Sequence, residues 1–381
     1  MKKLSRILIT GGAGFIGSHT ADLLLSHGYD VTIIDNLEPQ VHGSFHNNIP
    51  EYLNPKAKVV INTIRDKELL KKLLGECDAV LHLAALVGVG QSMYEPTRYI
   101  DTNTGGTAEL LEQMITYGHN VEKVVVASSM SIYGEGKYEC RSCGRHVHPG
   151  VRDEKALKAR KWDHLCPSCS SPLESLPTSE DTDPRPMSIY ALSKRHQEEM
   201  SLLMGETYGL PTVALRYFNV YGSRQSLMNP YTGACAIFSS RILSGNPPYI
   251  FEDGHQVRDF VHVKDVAWAN LLALERNEAN YQAINIGTGK PTSILELAQT
   301  LTRLCSSEIK PQISGEYRKG DIRHCYAETS RARNVMGFEA SINLEEGLSE
   351  LAKWARLKDW GRTDLFNQAL QELREKRLIS K

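Results

Sequence analysis

Residues 6–35, RILITGGAGFIGSHTADLLLSHGYDVTIID, decide the fold. The first five are apolar and largely β-branched, as a strand buried on both faces of a parallel sheet requires. Ala21, Leu24 and Leu25 then recur at helical spacing, and VTIID (31–35) reads as a second strand, which completes a β-α-β unit. Gly11, Gly14 and Gly17 stand between the first strand and the helix as G-x-x-G-x-x-G. Glycine there permits a tight turn and a close approach of backbone to a pyrophosphate, which sits on the positive end of the helix. Asp35 ends the second strand, where a carboxylate accepts hydrogen bonds from a ribose diol and repels a 2′-phosphate. The expected cofactor is therefore NAD rather than NADP. A plain strand–helix turn is the alternative, but strand, helix and acid all agree on the dinucleotide.

Outward from this unit, strand-like runs follow at 58–61 (KVVI), 79–83 (AVLHL), 123–127 (KVVVA) and 212–216 (TVALR), mostly with helical patterns between them. The alternation predicts an α/β fold, a doubly wound parallel (Rossmann) sheet with helices on both faces. Residues 1–137 and 179–225 are expected to form this NAD-binding domain, with segments near 258–285 returning to it. Residues 138–178 break the rhythm with cysteines and a basic, strand-poor run, and read as an insertion. Residues 226–381 are expected to form mainly a smaller C-terminal substrate lobe, in which a helix around 343–356 places Leu344, Leu348, Leu351 and Ala355 on one face.

Lys+Arg 44 against Asp+Glu 45 leaves a formal charge of -1, so nothing draws the whole chain toward nucleic acid or a membrane. The apolar run near the N-terminus is too short and too glycine-broken for a signal peptide or a membrane span. A cytoplasmic protein is expected. Of eight cysteines, Cys77, Cys235, Cys305 and Cys325 are scattered and read as small buried hydrophobes. Cys140, Cys143, Cys166 and Cys169 form two C-x-x-C pairs, separated by residues 144–165. Such knuckles can close a tetrahedral thiolate site, with Zn²⁺ the default ion, and four protein ligands make its role structural. Two disulfides or unused thiols are the alternatives, and a reducing cytosol disfavours the first.

YALSK places Tyr190 and Lys194 four residues apart on a predicted helix, hence on one face. A neighbouring ammonium favours the phenolate, and a tyrosine so tuned can remove a hydroxyl proton while hydride leaves the same carbon. Alone, Y-x-x-x-K is a common surface pair. The glycine motif, then SSMSIYG (128–134), then YALSK together resemble the extended short-chain dehydrogenase/reductase family, the NAD-dependent nucleotide-sugar epimerases and dehydratases. The resemblance covers nearly the whole chain apart from the cysteine insertion and the last stretch. It implies that Ser129 hydrogen-bonds the substrate hydroxyl, that Tyr190 is the acid/base and that Lys194 holds the nicotinamide ribose. It implies further cofactor contacts from Phe15, Ile16, Asn36, Ile64, Leu83, Ala84, Ala85 and Asn103, with Tyr217 and Phe218 facing the nicotinamide. Ser131 and Asn219 would meet the substrate, and Arg258, Arg318 and Asp321 would grip its diphosphate and nucleoside. One departure is Thr63 in INTIRD (61–66), where family members often carry an aspartate that contacts adenine.

Dehydratases of the family carry an Asp–Glu pair just after the catalytic Ser/Thr, because expelling a C6 hydroxyl needs a proton donor and a base. Here Met130 and Ser131 stand there, and neither can serve. What remains is oxidation at C4, rotation of the keto sugar and return of hydride to the other face, a 4-epimerisation. HGSFHNNIP (42–50), the stretch from Asn229 to Val263 and the cysteine insertion resemble the bacterial dTDP-L-rhamnose 4-epimerase group. The runner-up is a UDP-glucose/UDP-galactose or UDP-uronate 4-epimerase. Family members imply a homodimer formed through helices flanking the sheet. Two readings from other classes stand beside these. A non-catalytic NAD-binding regulatory protein would not need a tuned phenol. A nucleic-acid-binding protein would need the basic charge and interleaved aromatics that are missing.

Overall fold

In the computed structural model, which describes residues 4–43, 49–118, 120–357 and 364–380, seven strands lie parallel in one sheet. In chain order the sheet and its helices are β1 (Arg6–Thr10), α1 (Phe15–Ser26), β2 (Asp30–Asp35), β3 (Lys58–Ile61), α2 (Lys67–Glu76), β4 (Ala79–His82), α3 (Gly106–Tyr117), β5 (Lys123–Ser129), α4 (Ile189–Tyr208), β6 (Thr212–Tyr217), α5 (Val263–Glu275) and β7 (Gln282–Ile286). Their spatial order is 3-2-1-4-5-6-7. The order reverses between β1 and β4, and open parallel sheets bind ligands outside the strand ends at such a point. Part of the stretch 42–50, namely 44–48, lies outside the described residues.

Strands buried on both faces explain the near-continuous apolar runs in the sequence. Ile7, Ile9, Ile33, Val125, Val213 and Ile284 pack with α1 and α5 on one face, while Leu8, Ile34, Val80 and Val124 pack with α2 and α3 on the other. Each fully buried aliphatic side chain contributes about 1.5–3 kcal/mol. The helix α4, which carries the Tyr–Lys pair, starts where the Ser188 side chain accepts the Ala191 N–H at 3.1 Å. It stops at Gly209, whose φ of 65° only glycine adopts freely.

Leu348 and Leu351 of the helix Leu344–Leu357 are fully buried against Ala234–Leu243 and Ile294–Leu304, the core of the smaller lobe. Ala355 turns instead to Leu227 and Ala236. The basic run of the insertion holds no strand, only the short helix Glu154–Lys158, and strands flank it on both sides. Lys137–Glu139, His146–Val147 and Glu174–Leu176 form a three-stranded antiparallel sheet. Each cysteine pair makes a tight turn, with the Gly144 N–H on the Cys140 carbonyl and the Ser170 N–H on that of Cys166. The chain is folded back sharply enough for strands of two and three residues to pair. Among the described residues no helix is long and apolar enough to cross a membrane.

Candidate active site

A cleft of about 650 Å³ opens along the strand ends between the two lobes, a size suited to a bound small molecule. The glycine turn contributes Gly11, Gly14, Phe15, Ile16 and Gly17, and the following loops contribute Asp35, Asn36, Thr63, Ile64, Leu83, Ala84 and Ala85. The close packing needs the glycines. A Cβ on Gly17 would lie 2.5 Å from the Gly11 carbonyl, and one on Gly11 would lie 2.7 Å from the Ala84 nitrogen. Asp35 is held by the Ala13 and Leu37 amides at 3.0 and 2.9 Å, with His42 Nε2 3.8 Å away. Burial raises its pKa, against the opposing pull of His42 and those amides.

Tyr190 and Lys194 both line the cleft from α4, and Ser129 joins them from the end of β5. The Ser129 hydroxyl accepts the Ser131 hydroxyl at 2.9 Å and caps the turn that follows. The electrostatics differ from the simple expectation of an ammonium-stabilised phenolate. Burial dominates both groups, because a charge in this cleft loses hydration. It raises the Tyr190 phenol, with a hydrogen bond to Ser129 acting the other way. It lowers Lys194 to about 7. The Lys194 ammonium donates to the Ala127 carbonyl at 2.9 Å, which fixes it at the strand end. Burial thus keeps the Tyr190 phenol protonated, and its hydrogen bond with Ser129 is the contact that eases its ionisation.

Tyr217, Phe218 and Asn219 follow one another into the cleft at the end of β6. The Tyr217 hydroxyl donates to Asn270 on α5, so it packs as a wall rather than as an acid. The Asn219 side-chain carbonyl is buried with no partner, and a buried acceptor of this kind calls for a donor on a ligand. Ser131, Arg258, Arg318 and Asp321 also line the cleft. Arg258 spends its Nη donors chiefly on the carbonyls of Val257, Ile322 and Arg323, at 2.7–3.0 Å, so it shapes the loop as much as it faces the cleft. Arg318 grips Asp321 through two bonds of 3.0 and 2.7 Å. Burial opposes ionisation of Asp321, but Arg318, Arg258 and Arg152 outweigh it and lower its pKa.

Among the expected cofactor contacts, Asn103 stands apart. It is fully buried and does not line the cleft. Its amide accepts the Leu86 N–H at 2.7 Å and donates to the Leu86 carbonyl and the Ser193 hydroxyl, so it braces the wall from behind. Sequence reasoning missed Gln225 and Gln256, whose buried side-chain carbonyls lack partners and which line the cleft. It also missed Phe366, Leu370 and Leu373, brought there by a C-terminal helix. An ordinary amphipathic pattern gave no signal for either set.

The four cysteines bring their sulfurs within 4.8 Å of one another. Cys140 and Cys169 are 3.5 Å apart and Cys143 and Cys166 3.6 Å, all four as free thiols. A tetrahedral ion with bonds of about 2.3 Å to sulfur sets its ligands about 3.8 Å apart, so the donor set fits Zn²⁺. None of residues 138–178 lines the cleft, so the insertion does not roof it.

Two family models match the chain, GDP-mannose 4,6 dehydratase over residues 8–149 and the NAD dependent epimerase/dehydratase family over residues 165–287. The chain is 35% identical to the dTDP-L-rhamnose 4-epimerase of Burkholderia thailandensis, covering 92% of this chain and 94% of that one. The structure of UDP-glucose 4-epimerase from Thermotoga maritima with UDP-glucose superposes with a TM-score of 0.75 at 34% identity, covering 92% of this chain and 98% of that one. That of UDP-glucuronic acid 4-epimerase from Bacillus cereus, in complex with UDP-glucuronic acid and NAD, also reaches 0.75, at 28% identity, covering 92% and 99%.

Proposed function

The chain belongs to the NAD-dependent epimerase/dehydratase family, and from that premise we propose that it inverts C4 of a nucleotide-sugar, dTDP-L-rhamnose first among the candidates. As a family member it is an NAD-dependent nucleotide-sugar epimerase, an isomerase. The observation that carries the 4-epimerase reading is the meeting of Ser129, Tyr190 and Lys194 in a cleft that has no acid beside them at 130 or 131. Met130 is buried, and the Ser131 hydroxyl is spent on Ser129. The next acid along, Glu135, is buried and does not line the cleft. A sugar there can be oxidised and reduced at C4, but positions 130 and 131 supply no proton donor for losing a hydroxyl.

The residues that would hold NAD are the glycine turn, Asp35 and Lys194, and NAD would supply the hydride acceptor and donor. The chain's own residues do the rest. Tyr190, once ionised, takes the C4 hydroxyl proton and later returns it, Ser129 relays and orients, and Lys194 is fixed at the strand end by the Ala127 carbonyl. Release and rotation of the oxidised sugar happen within the cleft, which limits exchange with water. The rhamnosyl reading is supported by the 35% identity to the Burkholderia enzyme, and the UDP-sugar reading by the two structures above. Incubating purified protein with a panel of dTDP- and UDP-sugars, without added cofactor, decides between them. The expected product is the C4 epimer, greatest with dTDP-L-rhamnose. A net redox product that consumes stoichiometric NAD would overturn the epimerase reading.

Zn²⁺ in the four-cysteine site is part of the same proposal. The insertion's core is Tyr138, Cys140, Cys166 and Leu173, with Val147 at its edge, so two of four core residues are themselves ligands. A core that small needs a staple. We also place the protein in the cytoplasm, as a homodimer. Leu203 and Tyr208 on α4 and Tyr117 on α3 are exposed on helices flanking the sheet, which supports an interface there. A solution mass of one chain alone would refute the dimer.

A further inference from the structure

Arg318 and Asp321 sit on a loop, residues 316–323, in which only Tyr317–Arg318 forms a strand. So short a loop needs outside support to hold a guanidinium and a carboxylate in register. The two segments outside the family resemblance supply it from opposite ends. At the C-terminus, Ile379–Ser380 pairs antiparallel with Tyr317–Arg318, and Arg374 reaches Glu316 at 2.8 Å. On the insertion, Arg152 forms the bridge. Its Nη2 donates to the Asp321 carbonyl at 2.9 Å and to Glu252 at 2.6 Å, while Nη1 donates to Glu252 at 2.9 Å and to the Trp162 carbonyl at 3.2 Å. Trp162 and Leu157 pack on Tyr317. Arg323, at the loop's far end, meets Asp163 of the insertion at 2.7 Å and shares Glu252 at 3.1 Å.

The side chains of Arg152, Glu252 and Arg323 are 4%, 1% and 2% exposed. Buried charges held in a bidentate pair adopt one geometry, because leaving either partner alone is strongly destabilising. We infer that Arg152 is a positioning residue: it ties the four-cysteine insertion to the loop presenting Arg318 and Asp321, and so sets affinity for the nucleoside diphosphate without touching it. This rests on the nucleotide-sugar reading above. It gives the insertion a role at the substrate end of the cleft although none of its residues lines the cleft. It also makes that end depend on the cysteines, two of which are half of the insertion's own cluster, since Leu157 and Trp162 pack on Tyr317 instead.

The test is Arg152→Met, with dTDP affinity measured by calorimetric titration beside steady-state kinetics, NAD content and zinc content. The expected result is a dTDP Kd and a KM raised about 10- to 100-fold, with kcat at saturation, NAD and zinc retained. A folded R152M that binds dTDP as tightly as wild type overturns the inference. Should R152M not fold, Asp163→Ala decides, because that side chain is 60% exposed and grips Arg323 from the insertion. A smaller rise in the same sense supports the inference, and no rise overturns it. Cys166→Ser is expected to lose zinc and to raise the dTDP Kd as R152M does, with the double variant adding little; fully additive losses would remove the proposed path. Wild-type protein that binds neither dTDP nor UDP would instead sink the nucleotide-sugar reading itself, a result separate from equal binding by wild type and variant.

Discussion

The two ends of the cleft are built differently. At the cofactor end, Gly11 to Gly17, Asp35 and the Leu83–Ala85 segment leave the tips of adjacent strands, and each is placed by the sheet register itself. At the end proposed for the substrate, Arg318 and Asp321 stand on a loop held from outside by Arg152, Trp162 and the C-terminal strand. One end inherits its precision from a sheet that the whole domain stabilises. The other depends on a few buried charges and a module with little core of its own. Damage at the first end should therefore take the cofactor with it, whereas damage at the second should weaken substrate binding alone.

The largest expected effect lies where the two ends meet. Tyr190→Phe removes the only titratable hydroxyl on α4 that lines the cleft, and should lower kcat by about 10²–10⁴-fold with dinucleotide still bound. Undiminished inversion of the sugar would end this account of the chemistry. Gly17→Val sharpens the contrast from the cofactor side. Its Cβ would meet the Gly11 carbonyl at 2.5 Å and the Gly12 Cα at 2.6 Å, both backbone atoms that cannot turn aside. The strain is about 1–3 kcal/mol, and absorbance should show the variant purifying without NAD. A G17V protein that retains NAD and loses only sugar affinity would erase the distinction between the ends.

The smallest effect is one of pH. Lys194 in the folded cleft titrates near 7 rather than 10.5, because burial disfavours its charge. Between those values the unfolded chain holds a proton that the folded one has released. Unfolding then takes up a proton, so stability contributed at this site rises with pH through the window, with a slope of at most about 1.4 kcal/mol per pH unit. Denaturant titrations of cofactor-free protein at pH 7, 8 and 9 should show the slope in wild type and lose it in Lys194→Met. Identical pH profiles would mean that the lysine keeps its proton when buried.

The cofactor half was legible because its signals are local. A strand, three glycines at fixed spacing, a helix and an acid lie within thirty residues, and Tyr190 and Lys194 are one helical turn apart. The four cysteines were legible for the same reason, since each C-x-x-C pair is short and the two pairs meet within 4.8 Å. Less came through where function depends on what lies behind a residue. Asn103 sits in a recognisable motif, yet its amide is spent on clamping Leu86, which lines the cleft. The pairing of Tyr190 with Lys194 was visible, but not the burial that raises one and lowers the other.

By itself the sequence determined the doubly wound sheet, its glycine turn, the helix that carries Tyr190 and Lys194, and the two cysteine pairs, because periodicity and short spacings encode backbone geometry directly. Only the tertiary structure decided that Arg152, Glu252 and Arg323 share one buried site, with the insertion and the C-terminal strand gripping one loop. An ion pair between distant positions leaves no periodic trace in a chain. Its partners are chosen by packing, where the cost of burying a lone charge rules out most other arrangements.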